Sequence, residues 1–170
     1  MQNETALFEQ TILPHLDAAY NLARWLVGNE PDARDLVQDA CLRAFKSFPR
    51  YRGGDARSWL LTIVRNAAYT ALRKRGASEQ FVDSDKLESL PDDAPNPDEL
   101  RERAAKVETV RAAIARLPGE FKEVIVLREM EGFSYKEIAD VVGVPIGTVM
   151  SRLARGRRGL QKLLVEGSAP

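Results

Sequence analysis

The segment Ser134-Tyr135-Lys136-Glu137-Ile138-Ala139-Asp140-Val141-Val142-Gly143-Val144-Pro145-Ile146-Gly147-Thr148-Val149 carries two helix starts and one tight turn. Ser134 followed three residues later by Glu137 is a capping-box pattern, and it predicts a short helix running through Val142. Gly143-Val144-Pro145 then turns the chain, with the glycine free to take the positive φ such a turn requires. Ala139 predicts a close crossing of two helices, where only a small side chain fits. Val149, six residues past Gly143, returns an apolar group to the same small core. A small residue, a glycine and an apolar residue at those offsets suit a helix-turn-helix whose second helix enters a DNA groove.

Downstream the pattern continues as a helix to about Leu164, with Val149, Leu153 and Leu160 inward and Ile146 at its start. From Met150 to Lys162 it carries Arg152, Arg155, Arg157, Arg158 and Lys162 with no acid. A solvated bundle surface intersperses both signs, so a run of one sign points instead to phosphate. Thr148, Met150, Ser151, Arg152, Ala154 and Arg155 fall on or near the open face toward the start of this helix. An arginine there can grip a guanine edge with two hydrogen bonds, while Arg157, Arg158 and Lys162 are better placed for phosphates. The bland alternative is an ordinary helical hairpin.

Upstream, a helix from Glu120 to Met130 offers Phe121, Val124, Ile125 and Leu127 for packing, and Gly132-Phe133 makes a turn. Before it, Asn96 is a cap, Pro97 a first helical residue and Glu99 the partner of a capping box. That helix runs through Val107, Val110, Ile114 and Leu117 to a stop at Pro118-Gly119. From Gly76 to Pro97 no apolar period survives. Ser, Asp and Pro accumulate there, and Glu79 to Glu102 holds nine acids against Lys86 and Arg101, which predicts a flexible acidic linker.

Further toward the N-terminus a helix is expected from about Thr5 to Val27, on Leu7, Phe8, Ile12, Leu16, Ala19, Tyr20, Ala23 and Leu26, bent or broken at Pro14. A second, Asp32 to about Phe48 behind Pro31, buries Leu36, Val37, Ala40, Cys41, Ala44, Phe45 and Phe48 and leaves Asp35, Gln38, Asp39, Arg43 and Lys46 outside. After the loop 49–54, Asp55 caps a third helix to about Arg75, with Trp59, Leu60, Ile63, Ala67 and Leu72 on one face. The expected fold is all-α: two small helical domains, residues 1–75 and 98–170, joined by a linker over 76–97.

The net charge is zero, yet its distribution is uneven. Arg50, Arg52, Arg57, Arg65, Arg73, Lys74 and Arg75 face only Asp55 within Arg50–Arg75, so two basic blocks flank the acidic segment. That arrangement predicts two nucleic-acid contacts joined by something that avoids DNA. Aromatic residues beside arginines in the first block suit unstacked bases. The bland readings are that Trp59 is a core residue and Asn66 satisfies a buried polar contact. With one cysteine, Cys41, no disulfide within the chain and no cysteine-rich metal site is possible. His15 lacks partners at ligand spacing, and no nucleophile–base pair or phosphate loop appears. No catalytic residue, metal or cofactor is expected. The start MQNETALFEQ has no basic or apolar signal region and no apolar span follows, so a cytoplasmic protein without membrane insertion is expected.

Leu117-Pro118-Gly119-Glu120-Phe121-Lys122-Glu123-Val124-Ile125-Val126-Leu127-Arg128-Glu129, Phe133-Ser134-Tyr135-Lys136-Glu137-Ile138-Ala139 and Gly147-Thr148-Val149-Met150-Ser151-Arg152-Leu153-Ala154-Arg155-Gly156-Arg157 closely resemble the fourth-region domain of bacterial sigma factors of the extracytoplasmic-function group. Asp32-Ala33-Arg34-Asp35-Leu36-Val37-Gln38-Asp39 and Arg57-Ser58-Trp59-Leu60 through Arg65-Asn66 are similar to their second-region domain. The resemblance implies a factor that binds core RNA polymerase and directs promoter recognition and opening. It implies that Asp35, Gln38 and Asp39 dock the coiled coil of the polymerase β′ subunit. Arg52 of the 50–54 loop, with Trp59, Arg65 and Asn66, would hold the downstream promoter element as single strand. Thr148, Ser151, Arg152, Arg155 and Arg158 would read or grip the upstream element as duplex, in a unit that also touches the polymerase β flap. A separate anti-sigma protein is the expected control. Met150 and Ala154 depart from the family's usual larger or basic residues, and Arg34 replaces an acid common in the docking helix. The competing readings are a stand-alone helix-turn-helix regulator with a sensing or dimerising N-terminal domain, and an enzyme. A second nucleic-acid surface counts against the first, and the lack of a catalytic constellation against the second.

Overall fold

A computed structural model describes residues 2–75 and 97–168, so the expected linker and its capping Asn96 lie outside the described residues. All the regular elements within that span are helical, as expected: α1 (Gln2–Ile12), α2 (Leu16–Val27), α3 (Glu30–Ser47), α4 (Ala56–Arg75), α5 (Pro97–Ala115), α6 (Gly119–Ile125), α7 (Tyr135–Val142) and α8 (Ile146–Ser168). Pro14 does split the first helix, through a 3-10 turn at Leu13–His15. Gly28 ends α2 at φ 87°, and its N–H donates to the Arg24 carbonyl at 3.0 Å. The next helix starts at Glu30, two residues earlier than expected, because Asn29 rather than a later residue is the cap. Its side-chain oxygen accepts from the Asp32 N–H at 2.9 Å, leaving Pro31 in the first turn, where a missing N–H costs nothing. Asp55 caps α4 as expected, accepting from the Ser58 N–H at 3.3 Å and from its hydroxyl at 2.5 Å.

The N-terminal half is built on small residues. Ala19 and Ala23 of α2, Ala33, Ala40 and Ala44 of α3, and Ala67 and Ala68 of α4 are buried, which lets these helices cross closely around Leu22, Leu60, Leu61 and Val64. The C-terminal half packs α6, α7 and α8 around Val124, Leu127, Phe133, Ile138, Val149 and Leu153. The buried cluster is continuous between the halves, with α4 against α7 and α2 against α6.

Several residues expected inside are not. Leu7 of α1 is 56% exposed, and Phe45 is 49% exposed because the alanine stripe of α3 already fills its contact with α2 and α4. The Phe45 ring instead meets Phe8 edge-on at the rim. In α5 only the last turn packs: Ala113 and Ile114 are buried, whereas Val107 and Val110 are exposed on a helix whose main neighbour is α8. Leu72 lies at the surface and Cys41 is half-buried, with burial pushing its thiol above the usual range.

The helix expected over Glu120–Met130 changes character after Ile125, becoming a π-helical turn over Val126–Met130. The Glu131 N–H reaches the Val126 carbonyl at 3.2 Å and the Phe133 N–H the Leu127 carbonyl at 3.0 Å. The wider turn rotates Glu131 and Phe133 toward the N-terminal half. Beyond it the capping box forms in both directions: the Ser134 N–H to Glu137 at 2.9 Å and the Glu137 N–H to the Ser134 hydroxyl at 3.1 Å. Gly143 takes the expected left-handed conformation at φ 76°.

Candidate nucleic-acid interfaces

The start of α8 is aimed by what lies beneath it. Val149 and Leu153 are buried, and Gly156 faces α6 so closely that a Cβ there would stand 3.0 Å from Ile125 Cγ1. With that side pinned, Met150, Ser151, Ala154, Arg155 and Arg158 are exposed, and Thr148 and Arg152 half-exposed. The Ser151 hydroxyl donates to the Thr148 carbonyl at 3.0 Å, and Arg152 stands 3.9 Å from Glu120. Arg157 donates to Glu129 at 2.9 Å, so a flanking acid occupies it, whereas Arg155 makes no ion pair with the described residues. The helix thus presents an exposed face on which Ser151, Arg155 and Arg158 flank the apolar Met150 and Ala154.

The second surface lies at the start of α4. Gly53 and Gly54 turn the loop at φ 85° and 90°, and the Tyr51 hydroxyl donates back to the Gly54 carbonyl at 2.8 Å. Tyr51 stacks on Phe48 (centroids 5.7 Å apart) and tilts against Trp59 at 5.0 Å. Tyr51 and Trp59, together with Arg50, Arg52, Thr62 and Asp140, wall an open cavity of about 330 Å³. The half-buried Trp59 both packs against the core and walls the cavity, and Asn66 is exposed instead of satisfying a buried contact. Asp35, Gln38 and Asp39 share an exposed face of α3, where Asp39 pairs with Arg43 at 3.0 Å.

Arg52 and Trp59 thus meet at one cavity, but Arg65 lies apart, under the C-terminal half. Its Nε and Nη2 donate to the two carboxylate oxygens of Glu123, at 2.8 and 3.2 Å, and Glu123 is fully buried. The guanidinium also lies over the Tyr69 ring, 4.4 Å from its centre. Burial pushes the Tyr69 hydroxyl up to about 12, with the nearby Glu123 carboxylate adding to it. About two helical turns earlier, Arg57 stacks 3.9 Å over the Phe133 ring and donates to the Glu131 carbonyl at 3.2 Å and to Glu137 at 3.3 Å. Asn21 of α2 donates to the Glu131 side chain at 2.6 Å. Glu123, Glu131 and Asp140 escaped the reading of the sequence, as did the contact that Glu137 makes with Arg57 beyond its capping box. Nothing in the spacing of the first three distinguishes them from the acids of any helix surface, and only the packing of the halves brings Glu123 to Arg65, Glu131 to Asn21 and Asp140 to the cavity.

The sigma-70 region 2 family matches residues 11–78, and the sigma-70 region 4 family residues 108–160. The ECF RNA polymerase sigma factor EcfG of Rhodopseudomonas palustris is 34% identical over 145 residues, covering 84% of this chain and 77% of that protein. The chain belongs to the extracytoplasmic-function group of the sigma-70 family. The RNA polymerase sigma-H factor of Pseudomonas aeruginosa is 33% identical over 92% of this sigma-family chain and 86% of its own length. SigE of Mycolicibacterium smegmatis is 35% identical over 95% of this chain, which spans 63% of that relative. Among solved structures, the sigma factor RpoE in complex with the anti-sigma factor NepR from Bartonella quintana superposes with a TM-score of 0.75 at 31% identity, covering 92% of this chain and 96% of that one. CnrH in complex with the cytosolic domain of CnrY follows at 0.67 and 26% identity, covering 97% and 91%. Among the described residues no helix is long and apolar enough to cross a membrane, and no acidic, histidine or cysteine cluster is fit for a metal ion.

Proposed function

We propose that this chain is a promoter-specificity subunit: it binds core RNA polymerase, directs it to promoters and helps open them, and catalyses nothing itself. The observation that carries this is the pairing of two cationic surfaces of different shape in one family order. An aromatic-walled cavity with Arg50 and Arg52 suits unstacked bases, and the exposed face of α8 with Arg155 suits a duplex groove. In this reading residues 1–75 and 98–170 are the two working domains and 76–97 their linker. Arg52, Trp59, Arg65 and Asn66 hold the downstream element. Thr148, Ser151, Arg152, Arg155 and Arg158 contact the upstream element. Asp35, Gln38 and Asp39 dock the β′ coiled coil, the C-terminal unit touches the β flap, and the protein works in the cytoplasm. An anti-sigma protein is the proposed controller, which the likeness to the sigma factor RpoE, solved in complex with the anti-sigma factor NepR, supports.

Transcription with purified core polymerase on a genomic fragment library tests this. Specific transcripts are expected only when both chain and core are present, with little binding of the chain alone to duplex DNA, since its net charge is zero. Tight sequence-specific binding by the isolated chain at physiological salt, without any effect on polymerase, would overturn the proposal in favour of a stand-alone regulator.

A further inference from the structure

We infer that the start of α8 reads thymine methyl groups through an apolar strip, Ile146, Met150 and Ala154, set beside its polar contacts. The inference deepens the proposed function and rests on it, since it takes the exposed face of α8 to lie in the groove of the upstream element.

The outer side of this helix is divided lengthwise. At about 3.6 residues per turn, Ile146, Met150 and Ala154 recur every four positions and line one edge, whereas Thr148, Ser151, Arg155 and Arg158 line the other. Ile146 is 45% exposed, Met150 53%, and Ala154 is exposed with them. Val149, Leu153 and Gly156 on the opposite side hold α8 against α6 and α7, so the strip cannot turn inward. One apolar side chain on a surface needs no explanation, but three along a single ridge do. Gly147, on the same outer side, points the same way. A Cβ added there would meet nothing within 4 Å, in contrast to Gly156, which faces Ile125. Packing among the described residues does not call for a glycine at this position, and bare backbone beside Met150 leaves room for a ligand to approach closely.

The surroundings select duplex DNA as that ligand. No acid occurs from Ile146 to Val165, and Arg155 and Arg158 are exposed on the neighbouring edge. The occupant therefore carries anionic groups beside the strip and an apolar group facing it. In a major groove, the 5-methyl of thymine is the apolar group on the base edges, between rows of phosphate. Met150 is long, unbranched and adaptable enough to cover such a methyl, and Ala154 packs against one at close range. Cytosine brings no methyl, and its amino donor would be left unpaired against the strip.

Replacing thymine by uracil removes the methyl and leaves the pairing unchanged. Promoters recovered by transcription from the genomic fragment library supply the upstream element, and each of its thymines is replaced singly. Holoenzyme affinity is read by competition. At least one position is expected to lose about fourfold with uracil, the value of one buried methyl-sized group. Met150→Gln and Ala154→Ser are exposed replacements of similar size. In at least one of them, holoenzyme should become indifferent to uracil at that position. Arg155→Ala should weaken binding and keep the discrimination. Uracil tolerated at every position overturns the inference, as does a uracil response that survives in both strip variants. If the strip docks a protein instead, Met150→Gln weakens association of the chain with core polymerase without DNA, and no uracil response is seen. Failure of the proposed function looks different and removes both readings: chain plus core yields no promoter, or Arg155→Ala holoenzyme binds every promoter as the parent does. Uracil tolerance on a promoter that still needs Arg155 sinks the methyl reading alone.

Discussion

Replacing Gly156 sets two effects of known size against each other. In an ordinary helix interior, Gly→Ala is favourable by about 1 kcal/mol, because alanine leaves less backbone freedom to lose. Here the added Cβ would stand 3.0 Å from Ile125 Cγ1, 3.2 Å from its Cδ1 and 3.5 Å from Phe121 Cβ. The first of these is close to the α6 backbone, on a β-branched side chain with one preferred helical rotamer, so it cannot swing away. Ile125 is itself 1% exposed and has no room behind it. Relieving the clash means moving α8 off α6, an overpacking cost of about 1–3 kcal/mol. The steric cost exceeds the propensity gain. Gly156→Ala is expected to lose about 1 kcal/mol and Gly156→Val, with two further carbons in the same space, about 3 kcal/mol. For a chain of this size that corresponds to midpoints lower by about 3 °C and about 10 °C. Thermal melting of the full chain by circular dichroism reads both. A Gly156→Ala protein that melts above the parent would refute the reasoning, since it would mean that α6 yields and the close approach is incidental.

On the DNA side, Arg155→Ala measured on holoenzyme with a set of promoter variants is expected to cost about 1–3 kcal/mol and relax preference at one position. Arg158→Ala should weaken all sequences alike and lower the salt slope by about one. Equal, sequence-blind losses for both would show that α8 only grips the backbone. For acid stability, the hydrogen bond from Asn29 and the contact with Arg75 hold the Asp32 carboxyl below its ordinary value of 3.8. A depressed folded value contributes stability that is present above the unfolded value and is lost as pH falls through the folded one. Asp32→Asn should therefore be less stable near neutrality, yet show a shallower loss below about pH 4 in denaturant titrations; a slope equal to the parent's would remove Asp32 from the account.

Much of the fold was legible because local chemistry and packing agreed. Pro14, Gly28, Asp55, the Ser134–Glu137 box and Gly143 each act through their own few residues, so the pattern along the chain predicts them and the structure has them. The start of α3 lies two residues earlier than expected because Asn29 caps it, accepting the Asp32 N–H, and no local pattern shows where that acceptor sits. Phe45, Val107 and Val110 repeat at helical spacing, but periodicity reports that a face is apolar and not whether a partner covers it. The π turn at Val126–Met130 left no trace in the sequence, whose apolar spacing continues through it. For the candidate sites, residue type located the α8 face and the loop around Trp59. The pairing of Arg65 with Glu123, 58 residues away, depends on tertiary closure that no local pattern encodes.

The run of rings from Phe45 through Phe8 and Phe48 to Tyr51 and Trp59, with centroid spacings of 5.0 to 6.4 Å, ties the loop after α3 into the body of the helical core. A loop of two glycines would ordinarily have to be ordered by its ligand, at about 0.5–1.5 kcal/mol for each side chain immobilised. Here the edge-to-face and stacked contacts fix Tyr51 and Trp59 during folding, before any ligand arrives. On the proposed reading of this cavity, an entering base would meet walls already preorganised, so capture would turn on how readily the base leaves its own stack, and less on protein rearrangement.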